Sequence, residues 1–574
     1  MINTRDFLKT HQYWFLFGLI FLFFISTHIL GLHSPYHQDE YKWVLYSHPE
    51  IIAAGAVPHP PLSEFIYTKL GPIVGDLNFR FIPFFFGILN FFLIFYLSKC
   101  LFDSKKTALS TVFLFSISFY SILATLMVDV DGAIMPMFFL IMSIAYFKLK
   151  GTNFQFSIHH FQSWIWWIIL LMGAIGGFMI KVSAILPIAA VFFDFLIDKN
   201  IFLDWRKVLK YFLYACGGAT LLALILVLAH FVFPFFNLSY ALKYWEHFWN
   251  SSSFLNRGWF QTFIQFFKSV LYTSPLLILP AFFAGREIFK KTRVFYIFIL
   301  LGLFFYLFAF DFSIGALDRY FQFMIVPLCL ISGVVFNSFF HTPCGKVKKA
   351  YILGLILVLV LIFVVQFISH IVPSLHPKSG WITRVFSLKW NFLYPFTGGS
   401  GPLGFYVSFL FITLVWLTTL FAVILRTWKS NLQVLCLFFI FSVGLAYNLV
   451  FIEEYLFGFI NGSAPKVLAG AVEFIKNDKN IKSVTVYNDN GGYDVQVIGK
   501  YHKRLYTDPA FDMNIKMATL NQYKEFYLEV NMPRIDPSSF YRRYLDSCKI
   551  VYDDTDKNIS AIVYDCRNAP DVKL

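Results

Sequence analysis

Long apolar segments recur along this sequence and constrain its fold more than any other feature. Thirteen of them approach the length of about 20 residues that an α-helix needs to cross a hydrocarbon core about 30 Å thick. They are residues 14–32, 81–99, 108–127, 132–149, 163–180, 182–198, 210–233, 269–285, 294–311, 321–340, 350–372, 405–425 and 431–450. Only 14% of the residues are charged, which is roughly half the usual fraction in soluble domains. The sequence therefore predicts a polytopic α-helical membrane protein with about 13 transmembrane helices.

The distribution of lysine and arginine predicts how these helices are oriented. Basic residues cluster in alternate short loops, for example at 105–106, 206–210 and 290–293, while the loops between them are nearly bare. Because cytoplasmic loops carry the excess of lysine and arginine, the N-terminus is predicted in the cytoplasm and the C-terminus outside. The net charge of +14 is spread over these loops. Nucleic-acid binding, which requires a basic patch, is therefore not expected.

Three long segments fall on the outer side under this orientation. Residues 33–80 and 234–268 mix aromatic, apolar and charged positions at helical spacing, which predicts interfacial helices that lie on the membrane surface. Trp245, Trp249 and Trp259 suit the headgroup region of the bilayer. The third segment, 373–404, is interpreted as a loop.

The composition becomes polar near residue 460, which predicts a transmembrane domain over 1–459 and a small extracytoplasmic α/β domain over 460–574. A helix is expected over Ala464–Asn477, and strands over 482–487, 549–552 and 561–564. Cys548 and Cys566 lie in this polar region, apart from the cysteines of the apolar segments. A disulfide between them is compatible with an oxidising outer compartment.

Four carboxylates fall at the predicted outer face. Asp39 and Glu40 follow the first apolar segment, and Asp129 and Asp131 lie in the turn between the third and fourth. Charged residues between apolar segments are costly, so they are usually functional. The alternative is that they cap helix N-termini, for which Asp131 is well placed. For Asp129 alone the structural role is preferred, and for the four acids together a functional one.

Three basic residues near the same face are candidate anion ligands: His59, Lys181 and Arg319. Lys181 could instead extend to the membrane interface, and Arg319 could pair with Asp318. Cations beside carboxylates suit one task in particular, in which the cations hold a phosphate leaving group while a carboxylate accepts a proton from the nucleophile. The sequence has neither a Walker A motif nor a Cys/His metal-binding pattern. No cofactor is therefore predicted, and metal ligands are not identified.

The order of these motifs over about residues 10–340 resembles that of the GT-C glycosyltransferases. The resemblance is to the branch that includes protein O-mannosyltransferases and the lipid A aminoarabinose transferase. It rests on the Asp-Glu pair, on His-Pro-Pro-Leu at 59–62 and on the acidic turn before the fourth segment. Arg80-Phe-Ile-Pro at 80–83 and Arg319-Tyr320 before Val326-Pro327 are similar to further family landmarks.

The resemblance implies an inverting transfer of a sugar from a polyprenyl-phosphate donor to a protein, lipid or glycan acceptor at the outer face. Asp39 matches the family's acid in the first outer loop, which implies that it is the general base. Glu40 would orient the acceptor or bind an ion, and a divalent cation is left open. Asp131 matches the family's second acid, with Asp129 as the fallback.

The same resemblance implies that Lys181 and Arg319 neutralise the lipid phosphate as the glycosidic bond breaks. The aminoarabinose branch often has a lysine that is associated with the lipid phosphate near the first outer segment. In this sequence His59 precedes Pro-Pro-Leu there, so the role of that lysine is not assigned to it. His59 remains a candidate anion ligand.

The alternative function is a secondary transporter or a flippase-like carrier of lipids. Transporters usually show inverted repeats and acids near mid-helix, whereas these acids cluster at one predicted face and no repeat is found. The abundance of Phe, Ile, Lys and Asn indicates an AT-rich genome. This favours a location in a bacterial inner membrane.

Overall fold

The computed structural model describes most of the chain. The described residues are 4–36, 40, 43–47, 60–152, 154, 161–201, 205–232, 238–239, 258–309, 317–340, 349–368, 374–375, 378–396, 404–428, 432–487, 491–505, 524–530 and 540–570. Asp39, His59, Trp245 and Trp249 lie outside them, and so does most of the interfacial helix predicted in 234–268.

Helices make up most of the described chain. They are α1 Thr4–Gly31, α2 Pro61–Val74, α3 Phe81–Phe102, α4 Lys105–Ile117, α5 Phe119–Leu126, α6 Ile134–Gly151, α7 Phe161–Ile180, α8 Ile185–Asp198, α9 Trp205–Val232, α10 Trp259–Thr273, α11 Pro275–Ala281, α12 Arg286–Phe304, α13 Leu317–Tyr320, α14 Ile325–Phe340, α15 Lys349–Ile368, α16 Lys378–Phe386, α17 Phe409–Trp428, α18 Gln433–Leu456, α19 Ala464–Asn477, α20 Gly492–Val497 and α21 Phe540–Asp546. In the first predicted interfacial segment, the described residues include α2 and two short 3₁₀ turns, Leu45–Ser47 and Asp76–Asn78. A 3₁₀ turn, Phe321–Met324, joins α13 to α14.

The helices confirm a polytopic membrane protein. Among the described residues, nine helices are long and apolar enough to cross a membrane, or eleven if each of two bent pairs counts as one span. The other two predicted spans correspond to α8, which has 14 residues, and to the apolar part of α15, Ile352–Ile368. Both are shorter than the length of about 20 residues that a straight span requires.

The two bent pairs have local causes in the sequence. Between α4 and α5 the axis turns by 68°, and the extended Ser118 accepts a hydrogen bond from the backbone N–H of Ser121 as the N-cap of α5. Between α10 and α11 the axis turns by 95°. There Ser274 has a φ of 72° and is followed by Pro275, which cannot continue the hydrogen bonding of a preceding helix.

The chain forms two compact units. The first contains Met1–Leu32, Lys42–Gly345 and Asn431–Leu437, and the second contains His33–Tyr41, Lys346–Ser430 and Phe438–Leu574. In the first unit, small residues let helices approach closely. A Cβ added at Gly333 of α14 would lie 2.8 Å from the Cα of Thr111 in α4, so a larger residue there would force these two helices apart.

A buried aspartate joins three helices of the first unit. Asp194 of α8 accepts hydrogen bonds from Tyr146 Oη and Lys150 Nζ of α6, at 2.5 and 3.0 Å, and from Arg293 Nε of α12 at 2.6 Å. Asp198, one turn later, is more exposed and also pairs with Lys150, at 2.9 Å.

We expect Asp194→Asn to lower the free energy of unfolding by about 2–3 kcal/mol, because it removes the buried charge that pairs with two cations. The measurement is thermal unfolding of the protein in lipid nanodiscs. Asp198→Asn is the matched control and should cost less than about 1 kcal/mol, as is usual for exposed ion pairs. Equal stability of the two variants would contradict the structural role of Asp194.

The second unit contains two sheets. Strands β1 Ser374–Leu375, β2 Phe392–Phe396 and β3 Phe405–Ser408 form the first, and β4 Val484–Tyr487, β5 Tyr501–Leu505, β6 Phe526–Val530, β7 Lys549–Asp556 and β8 Ile559–Asp565 form the second. The second sheet has the order β5-β4-β6-β8-β7. The pairs of β4 with β5 and with β6 are parallel, and those of β8 with β6 and with β7 are antiparallel. Its core includes Val467, Ile475, Val486, Leu528 and Val563.

The predicted α/β elements after residue 460 are present. The helix has the predicted bounds, and the three predicted strands fall in β4, β7 and β8. Cys548 and Cys566 form a disulfide with their Cα atoms 4.7 Å apart. The sequence interpretation missed β5 and β6, and it took the segment that contains β1 and β2 for a loop. The second unit also includes α15–α17, so a domain boundary at residues 459 and 460 stays a prediction.

Candidate active site

The acidic turn between α5 and α6 is buried and held by side chains from three other positions. Arg80 Nη1 donates to the carbonyl of Leu126 at 2.7 Å, Tyr67 Oη donates to the carbonyl of Asp129 at 2.9 Å, and Asn90 Nδ2 donates to the carbonyl of Ala133 at 2.7 Å. The backbone of the turn is thereby fixed at both ends and at its centre.

Glycine is required within this turn. A Cβ added at Gly132 would lie 2.0 Å from the carbonyl oxygen of Ala124, a backbone atom that cannot move aside alone. We expect Gly132→Ala to displace the turn and to lower the thermal stability of the protein. The comparison is of thermal unfolding in lipid nanodiscs for this variant and for Gly151→Ala, where a Cβ would meet nothing within 4 Å. Equal thermal stability of the two variants would contradict the need for glycine at position 132.

Two ion pairs form on the turn. Arg319 Nε lies 2.5 Å from Asp129 Oδ2, and Lys181 Nζ lies 2.7 and 2.6 Å from the two carboxylate oxygens of Asp131. The backbone N–H of Asp131 donates to Asp129 Oδ1. Asp129, Asp131, Lys181 and Arg319, all named from the sequence, therefore form one cluster, although Asp129 and Arg319 are 190 residues apart in the chain.

The structure corrects two of the simpler interpretations. The N-cap residue of α6 is Ala133, and no side chain makes a capping hydrogen bond there. Asp131 therefore does not cap this helix and instead binds Lys181. The Lys181 ammonium is not extended alone but is bound by both oxygens of Asp131. The side chain of Asp318 lies outside the described residues, whereas Arg319 pairs with Asp129.

The two carboxylates differ in proton affinity. Burial favours the protonated form of Asp129, but Arg319 and Lys181 outweigh it and hold the pKa of Asp129 below its ordinary value. Burial raises the pKa of Asp131 despite Lys181, and the negative charge of Asp129 adds to this rise. Burial opposes the charge on Lys181, yet the negative charge of Asp131 keeps the pKa of Lys181 above its ordinary value. Lys181 therefore stays charged at neutral pH.

One member of the cluster, Asp131, lines a small, mostly apolar cavity. Lys181 Nζ is 4.7 Å from the centre of the Tyr320 ring, and the rings of Tyr320 and Tyr306 are 5.5 Å apart. The cavity is lined by Asp131, Met135, Pro136, Phe139, Phe298, Tyr306, Tyr320, Phe323 and Val326. Through Asp131 and Tyr320, the cation Lys181 is connected to the apolar walls of this cavity.

The other predicted site residues are not part of this cluster as described. Glu40 is buried in the second compact unit, and Asp39 and His59 lie outside the described residues. Within the described ranges, no group of three or more His, Cys, Asp and Glu side chains could hold a metal ion. Sequence reasoning missed Tyr67, Asn90 and Tyr306. The chain has 31 tyrosines, and nothing in the sequence distinguishes Tyr67 and Tyr306 from the others.

Comparisons with known proteins agree with the resemblance. Residues 58–233 match the family model described as dolichyl-phosphate-mannose-protein mannosyltransferase, a range that includes Asp129, Asp131 and Lys181. No curated protein matches the sequence. The crystal structure of ArnT from Cupriavidus metallidurans in the apo state has 12% sequence identity and a TM-score of 0.52, with 98% of this chain and 99% of that chain covered.

A second crystal structure of the same protein, bound to undecaprenyl phosphate, has 12% identity and a TM-score of 0.51, with 97% of this chain and 98% of that chain covered. At this identity the likeness shows the fold alone, and it extends over nearly the whole chain. Neither comparison supports a transporter. This chain is therefore a membrane protein with the fold of ArnT, and its residues 58–233 are similar to a family of glycosyltransferases that use a lipid-phosphate sugar.

Proposed function

We propose that this protein transfers a sugar from a polyprenyl-phosphate donor to an acceptor, with inversion, and that Lys181 and Arg319 bind the donor phosphate. The observation that carries the proposal is the pair of cations, each held by its own buried carboxylate, one of which, Asp131, also lines the apolar cavity. Both a family model named for a dolichyl-phosphate sugar and a fold shared with a protein crystallised with undecaprenyl phosphate support this donor class.

The cavity suits the two parts of such a donor. A polyprenyl-phosphate sugar is a phosphodiester with one negative charge on a long apolar chain, and the departing polyprenyl phosphate gains a second, so the site must combine cations with apolar walls. Phe139, Phe298 and Phe323 line the cavity beyond Asp131 and suit the isoprene units nearest the phosphate. The aromatic rings of Tyr306 and Tyr320 reduce the exposure of Lys181 to water, which strengthens its attraction for an anion.

The transfer is a displacement at the anomeric carbon of the donor sugar. A nucleophilic oxygen of the acceptor forms a bond to this carbon while the bond from the carbon to the phosphate oxygen breaks. Negative charge then grows on the departing phosphate, where Lys181 and Arg319 stabilise it. The acceptor proton passes to a carboxylate, and Asp39 is our proposed general base. His59 is proposed as a further contact to the phosphate, and Glu40 as a residue that orients the acceptor.

Asp129 and Asp131 are proposed to position the cations rather than to remove the acceptor proton. Each carboxylate is occupied by one cation at 2.7 Å or less, which leaves it less accessible to the hydroxyl group of an acceptor.

This role predicts strong coupling between Asp131 and Lys181. We expect Asp131→Asn to lower the kcat/KM of transfer in the wild-type protein and to have little further effect in Lys181→Gln, with a coupling energy of about 1–3 kcal/mol. The measurement is a double-mutant cycle on kcat/KM. Independent, multiplying losses would indicate that Asp131 removes the acceptor proton itself.

The protein is proposed to act in a bacterial inner membrane, with its N-terminus in the cytoplasm and residues 460–574 outside. The acceptor is a protein, a lipid or a glycan at the outer face. The test of the function is transfer from radiolabelled polyprenyl-phosphate sugars to membrane acceptors by the purified protein in nanodiscs. Consumption of the donor with release of polyprenyl phosphate is the expected result. If no such donor is consumed, the proposed function is wrong.

A further inference from the structure

Helix α10 has its polar side chains inside and its apolar side chains outside. Thr262, Gln265, Ser269 and Thr273 are buried along one face, at the spacing of three and four residues that places them on one stripe. Phe260, Phe263 and Phe267 are exposed on the remaining surface. This arrangement suits a helix whose outer face meets lipid, and it leaves the inner polar side chains in need of partners.

Only half of the inner polar stripe is satisfied within the helix. Ser269 Oγ and Thr273 Oγ1 each donate to the carbonyl four residues earlier, at 2.9 Å. By contrast, Thr262 Oγ1 and Gln265 Oε1 have no hydrogen-bond partner in the described part of the chain. The exposed fractions of these two residues are 2% and 9%, so bulk water does not serve them.

The elements that pack against α10 carry two more such atoms. The ring of Tyr272 in α10 is 5.5 Å from that of Tyr120 in α5, and the ring of Phe266 is 5.8 Å from that of Phe321. Ser121 Oγ of α5 and Gln322 Oε1 of the 3₁₀ turn are also buried, and neither has a partner among the described residues. We call Ser121, Thr262, Gln265 and Gln322 the polar junction.

The polar junction is built on the same elements as the charged cluster. Gln322 follows Arg319 by three residues, and its Nε2 lies 3.9 Å from the sulfur of Met127. Met127 precedes Asp129 by two residues, at the end of α5. Of the four residues, Gln322 is therefore the one whose contacts lead directly to the acidic turn that holds Lys181 and Arg319.

The chemistry of the unpartnered atoms defines what can bind there. Buried polar atoms in proteins are almost always hydrogen-bonded, so four without partners on elements that pack against one another require an explanation. Two of them are amide carbonyl oxygens, which only accept hydrogen bonds. Their ligand must donate, as the hydroxyl groups of a sugar ring do from several adjacent carbons.

We propose that the polar junction binds the hydroxyl groups of the donor sugar while Lys181 and Arg319 hold its phosphate. This inference rests on the proposed function and adds a sugar-specific site to it. Its test must therefore separate recognition of the sugar from recognition of the lipid phosphate.

The experiment compares the binding of two kinds of lipid to the full-length protein in nanodiscs. One is undecaprenyl phosphate, and the other is the same lipid phosphate carrying mannose, glucose or an amino-pentose. We expect Thr262→Val and Gln265→Met each to weaken the best sugar-linked lipid about 3- to 10-fold, as for the loss of one hydrogen bond. Both variants should bind the sugar-free lipid as the wild type does. Thr273→Val is the matched control and should change neither affinity, because the Thr273 hydroxyl is satisfied within the helix.

Each other outcome has a defined meaning. If the wild type binds both kinds of lipid and the variants leave both affinities unchanged, the inference is wrong while the proposed donor class stands. A rise in thermal stability of Thr262→Val without any change in lipid binding would mean that the junction holds only water or nothing, and would also overturn the inference. If the wild type binds neither kind of lipid, the proposed function itself fails.

Discussion

Asp39→Asn is expected to lower sugar transfer by about 100- to 10,000-fold, the range that is usual for the loss of a general base. Asparagine keeps the size of the side chain and can still accept a hydrogen bond, but it cannot take the proton of the acceptor. The binding of polyprenyl phosphate should be unchanged, because the proposed role of Asp39 concerns the acceptor and not the donor. The measurement is single-turnover transfer by purified protein, with lipid binding measured on the same preparation.

Glu40→Gln is the control for this prediction. It makes the equivalent change at the adjacent residue and should reduce transfer far less if Glu40 only orients the acceptor. A folded Asp39→Asn variant with wild-type transfer would show that the base lies elsewhere. In that case Asp131, whose pKa is raised by burial, becomes the next residue to test.

Lys181→Gln is expected to lower transfer about 100-fold, as when one donor to a developing negative charge is removed. The lysine supplies positive charge beside the departing phosphate, and glutamine keeps only a hydrogen bond. Because the phosphate is charged before and after reaction, the affinity for the lipid should fall as well as the rate. The measurements are kcat/KM for transfer and the dissociation constant of sugar-free polyprenyl phosphate.

Lys150→Gln is a closely matched control for the loss of Lys181. Lys150 is 24% exposed and pairs with the buried Asp194, and Lys181 is 25% exposed and pairs with the buried Asp131. The control should change stability but not the chemistry of transfer. Similar losses of transfer in the two variants would mean that Lys181 has only a structural role.

The transmembrane architecture was predictable because it depends on local sequence. Apolar length and loop charge are properties of the segments themselves, and each predicted segment coincides with a helix, a bent pair of helices or a shorter apolar helix. The bends were not predicted, since Ser118 and Ser274 are ordinary residues in membrane helices and only their backbone geometry reveals the breaks. Strand β5, with the sequence Tyr-His-Lys-Arg-Leu, lacked the apolar pattern of a strand because it lies at an edge of its sheet.

The members of the charged cluster were predictable, but their partners were not. Asp129, Asp131, Lys181 and Arg319 each interrupt or border an apolar segment, which makes them conspicuous in the sequence. The pairing of Arg319 with Asp129, 190 residues away, depends on how α13 packs beside the acidic turn. The alternative that Asp131 caps a helix is wrong, because the cap position of α6 is Ala133 and the carboxylate of Asp131 binds Lys181.

The most direct test of the account is whether Lys181 and Arg319 recognise a lipid phosphate. The measurement is the affinity of undecaprenyl phosphate relative to undecaprenol for the wild-type protein and for the double variant Lys181→Gln/Arg319→Gln, in nanodiscs of uncharged lipid. We predict that the wild type binds the phosphate at least about 100-fold more tightly than the alcohol, and that the double variant loses most of this preference. A double variant that is folded and keeps the full preference for the phosphate would contradict the account.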